Sequence, residues 1–289
     1  MSLYEISGSL EDLVAPVLVA AFDGWIDAAG ASSAAANHLA SDATTVLTFD
    51  PDPLYDYRSR RPVLDVIDGV LRHLAWPEMA VRRLRLAEQD LLILHGPEPD
   101  FRWRELARDV LGFATDVGVV QWITLGAIPA AVPHTRATPV FATASREGLL
   151  KEGMQQGPGG LLRVPSACLS VIELTVAEGG IPAVGFYAQV PPYVGGPYAT
   201  ATLALLDAVG RHLGETLPSG ALPEEARTQR MHLDAAVAAQ EEMRQMVEQL
   251  EVQQSDEDEA IPSGDELASE IERYLRGQGG ESRSGDPGF

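Results

Sequence analysis

Residues 16–39 read PVLVAAFDGWIDAAGASSAAANHL. The first seven are an apolar run rich in Val and Ala that stops at Asp23-Gly24, the pattern of a short buried strand closed by a turn. Ala28 to Leu39 is alanine-rich and predicts a helix, with Asp27 placed where a carboxylate suits the helix dipole. A buried strand that turns directly into a helix is the opening unit of an α/β fold.

The same alternation continues along the chain. Thr44–Phe49, Asp90–Leu94, Val119–Leu125, Val140–Ala144 and Pro182–Tyr187 read as strands, and Arg102–Thr115, Pro165–Glu178 and Pro197–Leu213 as helices. Val63 to Leu86 alternates apolar and charged residues around Asp68-Gly69 and Trp76-Pro77, which predicts a β-meander and so an antiparallel part of the sheet. From Leu222 the composition changes. Glu224 to Gln253 has no Gly or Pro and is rich in helix formers. Within it Ala239, Met243, Met246 and Leu250 follow a short heptad seam; Met243, Met246, Val247 and Leu250 are the candidate partner-binding residues. The expected organisation is an α/β core over 1–217, a helical segment over 218–254, and an acidic linker, a short helix at Pro262–Arg276 and a disordered tail over 255–289.

Charge and cysteine usage narrow the function. The 289 residues carry a formal net charge of -21, which disfavours nucleic acid, since phosphate binding needs a basic face. Residues 221–289 alone hold 17 acids against 6 arginines, so the tail concentrates the excess. Lys151 is the only lysine and Cys168 the only cysteine, so an internal disulfide is impossible. Cys168 sits in the apolar run Ala167–Ile172 and reads as a buried inert thiol. The first Arg or Lys is Arg58, which leaves no positive n-region for a secretory signal, and the uncharged stretch Val117–Thr135 is broken by Pro129 and Pro133. A cytoplasmic protein without a membrane span is expected.

Polar side chains gather after the apolar strands, where open α/β sheets bind ligands. The candidate cleft comprises Asp23, Trp25, Asp27, Asp52, Tyr55, His95, Glu98, His134, Thr135 and Arg136, with Tyr57, Arg58 and Arg61 nearby in sequence. Two His, several carboxylates and an Arg could perform acid/base chemistry or hold an anion. The same residues could equally serve turns and satisfy loop backbone. No His-Glu-x-x-His helix, Cys-x-x-Cys pair or Gly-x-Ser-x-Gly elbow is present. Gly157-Pro-Gly-Gly160 lacks the Lys-Ser/Thr of a phosphate loop, and His95 and His134 match no compact metal site. Neither a cofactor nor a metal is implied, and no catalytic constellation is complete.

Taken in order, these loops resemble the proteasome assembly chaperone family named for the second chaperone of the pair, in its actinobacterial branch of uncharacterised members. The resemblance rests on Gly-Trp-Ile-Asp-Ala-Ala-Gly at 24–30, Phe49-Asp-Pro-Asp52 with Tyr55 and Arg61-Pro62, His95-Gly-Pro-Glu-Pro99 with Trp103, Leu125-Gly-Ala-Ile-Pro129 with Pro133-His-Thr-Arg136, Gly157-Pro158, and Val190-Pro-Pro-Tyr-Val194. It implies a three-layer α/β/α sandwich of the phosphorylase/hydrolase-like type, on a mostly parallel mixed sheet, plus a small helical C-terminal domain. Eukaryotic and archaeal relatives assist assembly of the proteasome core particle, some by docking a hydrophobic–Tyr–any-residue tail. Here Gly288 stands at the place of that Tyr, which argues against docking by that route. The resemblance thus implies a non-catalytic chaperone-like interaction protein, with proteasome subunits as partners and a homo-oligomer, dimer or trimer, as its state. An enzyme or anion-binding protein using the cleft, with His95 or His134 as base and Arg136 on the anion, is the alternative. An oligomeric scaffold is a third.

Overall fold

The structure, a computed structural model, describes residues 2–157 and 159–259, with side chains through Ser255. The short helix and tail expected after Glu259, and Pro158 of the Gly-rich loop, lie outside the described residues.

The chain runs β1 (Tyr4–Ile6), β2 (Val17–Asp23), a 3-10 turn at Ala28–Gly30, α1 (Ala31–Ala40), β3 (Thr44–Phe49), β4 (Val63–Ile67), β5 (Val70–Ala75), β6 (Ala80–Arg85) and β7 (Asp90–Pro97). It continues with α2 (Trp103–Asp116), β8 (Gln121–Pro129), β9 (Val140–Ala144), α3 (Cys168–Glu178), β10 (Ala183–Val190), α4 (Ala199–Leu213), α5 (Leu222–Ala239) and α6 (Glu241–Glu259). Eight strands form one mixed sheet in the order β1-β3-β6-β7-β2-β8-β10-β9. The four central strands, β7, β2, β8 and β10, are parallel; the pairings toward both edges are antiparallel.

Burial explains the central strands. Along β2, Val17, Val19 and Ala21 face α1 and α4, while Leu18, Ala20 and Phe22 face α2 and α3. A strand covered on both faces needs apolar residues at every position, which is why the opening run shows no alternation. The α/β/α layering follows. On one side Ala31, Ala35, Ala36 and Leu39 of α1 meet Ala201, Leu205 and Val209 of α4. On the other Leu106, Val110 and Phe113 of α2 meet Leu169, Ile172 and Val176 of α3.

The meander expected over Val63–Leu86 is not one unit. β6 enters the main sheet between β3 and β7, whereas β4 and β5 pair only with each other as a separate ribbon. Alternation and a turn signal mark strand pairs but do not say which sheet a strand joins. The helix expected over Glu224–Gln253 is two helices that break at Gln240, and α6 continues through 255–259, the stretch read as linker. The chain divides into compact units at Ala236/Val237. Most of α5 therefore belongs with the core. Leu222 is buried in the α1/α4 layer, Gln229 Oε1 accepts the Ala199 N–H at 2.8 Å, and Gln229 Nε2 donates to Pro197 O at 2.8 Å. The composition change at Leu222 marks the start of a helix, not the edge of packing.

One buried ion pair fixes the start of the central sheet. The Asp90 side chain has no exposure; it accepts from Arg83 at 2.9 and 3.1 Å and from the Val14 N–H at 2.8 Å. Arg83 in turn donates to the carbonyls of Glu11 and Asp12, so the pair holds the loop that feeds β2. Removing one partner of a buried pair strands the other. Asp90→Ala is expected to cost about 3 kcal/mol or more of unfolding free energy in urea titration; a loss within about 0.5 kcal/mol, as for a surface position, would contradict that role.

Candidate functional site

β2 leads through α1 to β3 on one side of the sheet, while β7 leads through α2 to β8 on the other. Neighbouring strands whose connections leave in opposite directions open a crevice at their carboxyl ends. A cavity of about 370 Å³ lies there, lined by Asp23, Ser33, Asn37, Glu78 and His95 among others. A larger cavity, about 610 Å³, lies between β9 and α4 and is lined by none of the residues singled out in the sequence. The switch-point cavity is the one lined by residues singled out in the sequence, Asp23 and His95.

Around it, each carboxylate is engaged by the protein itself. Asp23, at the end of β2, takes a two-pronged bond from Arg60 at 2.6 and 3.1 Å. Arg60 is the arginine that matters here, although Arg58 and Arg61 stood out with it in sequence. Asp27 Oδ1 accepts from Ser32 N at 2.8 Å, Ser32 Oγ at 2.7 Å and Ser33 N at 3.1 Å, and Oδ2 accepts from Ser33 Oγ at 2.5 Å. It therefore caps α1 across the 3-10 turn, satisfying amides that a helix start leaves open. Glu98 Oε1 accepts the Cys168 N–H at 2.6 Å at the start of α3, and Oε2 lies 3.4 Å from the Trp25 N–H. Asp52 accepts from the Tyr57 hydroxyl at 2.6 Å, and the buried Tyr55 hydroxyl donates to Pro97 O at 2.9 Å. The Trp25 ring is exposed.

Two groups have shifted acidity. Burial, aided by the Glu98 carboxylate, pushes the Cys168 thiol up, so it stays protonated and unreactive at neutral pH. Burial, with the nearby Arg82 cation, holds His95 down at about 4. Its Nδ1 lies 2.9 Å from Asn37 Oδ1, and its Nε2 is buried with no hydrogen-bond partner among the described residues. A neutral ring at pH 7 suits a base in principle, but this nitrogen is not open to solvent.

His134 belongs to a second cluster after β8. It is buried, with Nδ1 2.7 Å from the Tyr193 hydroxyl and Nε2 3.2 Å from Asp234 Oδ1. The Tyr193 hydroxyl also accepts the His134 N–H at 2.8 Å, and Arg230 donates to His134 O at 2.8 Å. Both ring nitrogens are engaged, and the cluster fastens α5 to the β8 loop. Thr135 is half-buried and Arg136 exposed. The sequence cleft is thus two sites: Asp23, Asp27, His95 and Glu98 gather around β2 and β7, while His134 joins residues of α5. Arg60, Asn37, Arg230 and Asp234 were not singled out in the sequence, and Tyr193 stood only within the 190–194 segment. Asp234 lies 100 residues from its partner, with no local motif to announce it. In the unit that begins at Val237, Met246 of α6 is exposed, Met243 half-buried, and Val247 and Leu250 buried.

Among the described residues no group of three or more His, Cys, Asp or Glu could hold a metal ion. No helix among them is long and apolar enough to cross a membrane.

These features define an α/β/α sandwich with an antiparallel-flanked parallel sheet and a helical C-terminal part. The chain matches the PAC2 family over residues 21–237 and belongs to that family, the one its loops resemble. It is similar to solved structures of two proteins of unknown function. One, from Corynebacterium glutamicum, is 30% identical with a TM-score of 0.81, over 89% of this chain and 99% of that one. The other, from Mycobacterium tuberculosis, is 34% identical with a TM-score of 0.83, over 90% and 93%. A proteasome-assembly chaperone homologue from Mycobacterium tuberculosis is 34% identical with a TM-score of 0.73, over 80% and 99%. No curated protein matches the chain.

The His95 environment sets a pH dependence. The unfolded ring titrates near 6.5 and the folded one near 4, so between these values the unfolded chain binds more protons. This contribution to stability is complete above about 6.5 and is lost as pH falls toward 4. Melting temperature measured across that window should fall for the wild type and fall less for His95→Gln; equal slopes would show that His95 is not buried neutral.

Proposed function

We propose that this protein is a non-catalytic, chaperone-like protein-interaction protein that acts on proteasome assembly as a homo-oligomer. The observation that carries the reading is how the carboxyl-end groups are used. Asp23, Asp27 and Glu98 hydrogen-bond to the protein's own backbone and side chains, and the thiol beside them is buried and protonated. Groups already engaged by backbone amides and an arginine are less available to meet a substrate. Family membership, and 34% identity to the mycobacterial proteasome-assembly chaperone homologue, supply the class of partner.

The seat for a protein partner would be α6, where Met246 and Val252 are exposed. Methionine adapts to partner surfaces because its side chain is unbranched and polarisable. A second reading, a small polar ligand in the switch-point crevice, is favoured by the cavity lined by Asp23, Ser33 and Asn37.

The test is affinity capture from an actinobacterial lysate with three baits: the full chain, a chain ending at Gln240, and Met246→Asp. Core proteasome subunits should be recovered by the full chain, be lost with the truncation and be reduced with Met246→Asp. If none of the baits recovers them, the assembly reading falls and the crevice becomes the better lead.

A further inference from the structure

The cavity of about 610 Å³ beside β9 shares no lining residue with the crevice at Asp23. Its floor is apolar, made by Val140 and Ala142 of β9 and Phe186 of β10. One wall is a single face of α4, where Leu203, Ala204, Asp207, Ala208 and Arg211 recur at helical spacing. The other wall is Gly153, Met154 and Gln155, from the segment that follows β9. Cavities of roughly 300–1,000 Å³ with apolar walls and a few polar groups are the usual form of small-molecule sites.

The walls are held by contacts of their own. The Ala142 N–H donates to Gln155 O at 2.8 Å and the Gly157 N–H to Ala142 O at 3.0 Å, so the segment is strapped along the outer edge of the sheet. Gly153 has a φ of +80°, which lets the chain turn back to make those bonds. Lys151 Nζ donates to Arg211 O at 3.4 Å and ties the same segment to the last turn of α4. On the floor, the Phe186 ring meets His212 edge to face at 5.5 Å. A pocket already formed loses little ordering entropy when it is filled.

Charge selects the ligand. Asp207 and Arg211 stand four residues apart on α4, a spacing at which Asp and Arg stabilise a helix by pairing. Here they do not pair, and neither makes an ion pair with any other of the described residues. Both are exposed at the mouth of the cavity, with the Lys151 cation held beside Arg211. Residues at this spacing have Cβ atoms about 5–6 Å apart, so one ligand carrying an ammonium and a carboxylate on a single carbon reaches both. A plain carboxylate would set its charge beside Asp207, and a plain amine would set its charge beside Arg211 and Lys151. An apolar molecule would use neither charge.

We infer that this cavity binds a small zwitterion with an apolar body, the chemistry of a hydrophobic α-amino acid. Arg211 takes its carboxylate, Asp207 its ammonium, and the Phe186 floor its side chain. The full chain is titrated by isothermal calorimetry with L-leucine, L-phenylalanine and L-tryptophan, and with the deamino and decarboxy analogue of each. The same titrations are made on Arg211→Gln, Asp207→Asn and Ala204→Phe, with far-UV circular dichroism as the check on folding. At least one of the three amino acids should bind with a dissociation constant below about 1 mM. Each of its one-charge analogues, and each of the two charge variants, should bind about tenfold or more weakly, as loss of a charge-assisted hydrogen bond does. Ala204→Phe, which fills the cavity, should abolish binding; the two charge variants, at exposed positions, serve alone if it fails to fold. The inference is overturned if none of the three amino acids binds, if binding survives unchanged in the folded variants, or if a deamino analogue binds as tightly as its parent. The capture of proteasome subunits is a separate readout, so this site and the proposed function fail independently.

Discussion

Glu98 is the contact on which the carboxyl end of the sheet depends. It follows the last residue of β7, and its two oxygens reach the first amide of α3 and the Trp25 amide beyond β2. Its own N–H meets the Asp23 main-chain oxygen and Oδ1, each at 3.2 Å. One residue thus joins two parallel strands and a helix from the opposite layer. Placing a carboxylate at a helix start is favourable for the dipole and for the open amides. The approach is so close that residue 24 must be glycine: its φ is +128°, and a Cβ there would lie 2.7 Å from Glu98 Oε2.

The same economy governs the neighbouring groups. Asp27 closes the start of α1, Arg60 neutralises Asp23, and Tyr55 holds the Pro97 carbonyl. Each satisfies a backbone group or a charge that a sharp strand-to-helix turn would leave exposed. The polar cluster read from the sequence as a cleft is thus, in three dimensions, mostly engaged in holding the crevice wall. Large apolar side chains are exposed elsewhere, on the β4–β5 ribbon and on α6.

Much of the fold was legible from sequence because buried strands and alanine-rich helices announce themselves. The bounds of β3 and β9 coincide with their expected ranges, and β2 and α2 shift by a residue. The elements that escaped did so for physical reasons. β1 is three residues on a sheet edge, too short to show a period. The β4–β5 ribbon has strand-like alternation, but its separation from the main sheet is a matter of tertiary pairing. The break at Gln240 carries no Gly or Pro. The candidate site was half legible: Asp23, Asp27, His95 and Glu98 do converge, whereas the choice of Arg60 over its neighbours depends on loop conformation. The Asp234 contact of His134 comes from a helix read as separate from the core.

The central claim is that these carboxylates serve the fold and not a reaction. Groups kept for chemistry commonly cost stability, so removing them often leaves a protein as stable or more so. The direct measurement is the unfolding free energy of Glu98→Ala in urea at neutral pH. The account predicts a loss of about 1–3 kcal/mol, because the part-buried Cys168 amide that opens α3 loses its acceptor. Unchanged or increased stability would contradict it, and would mark Glu98 as a residue held in place for a ligand.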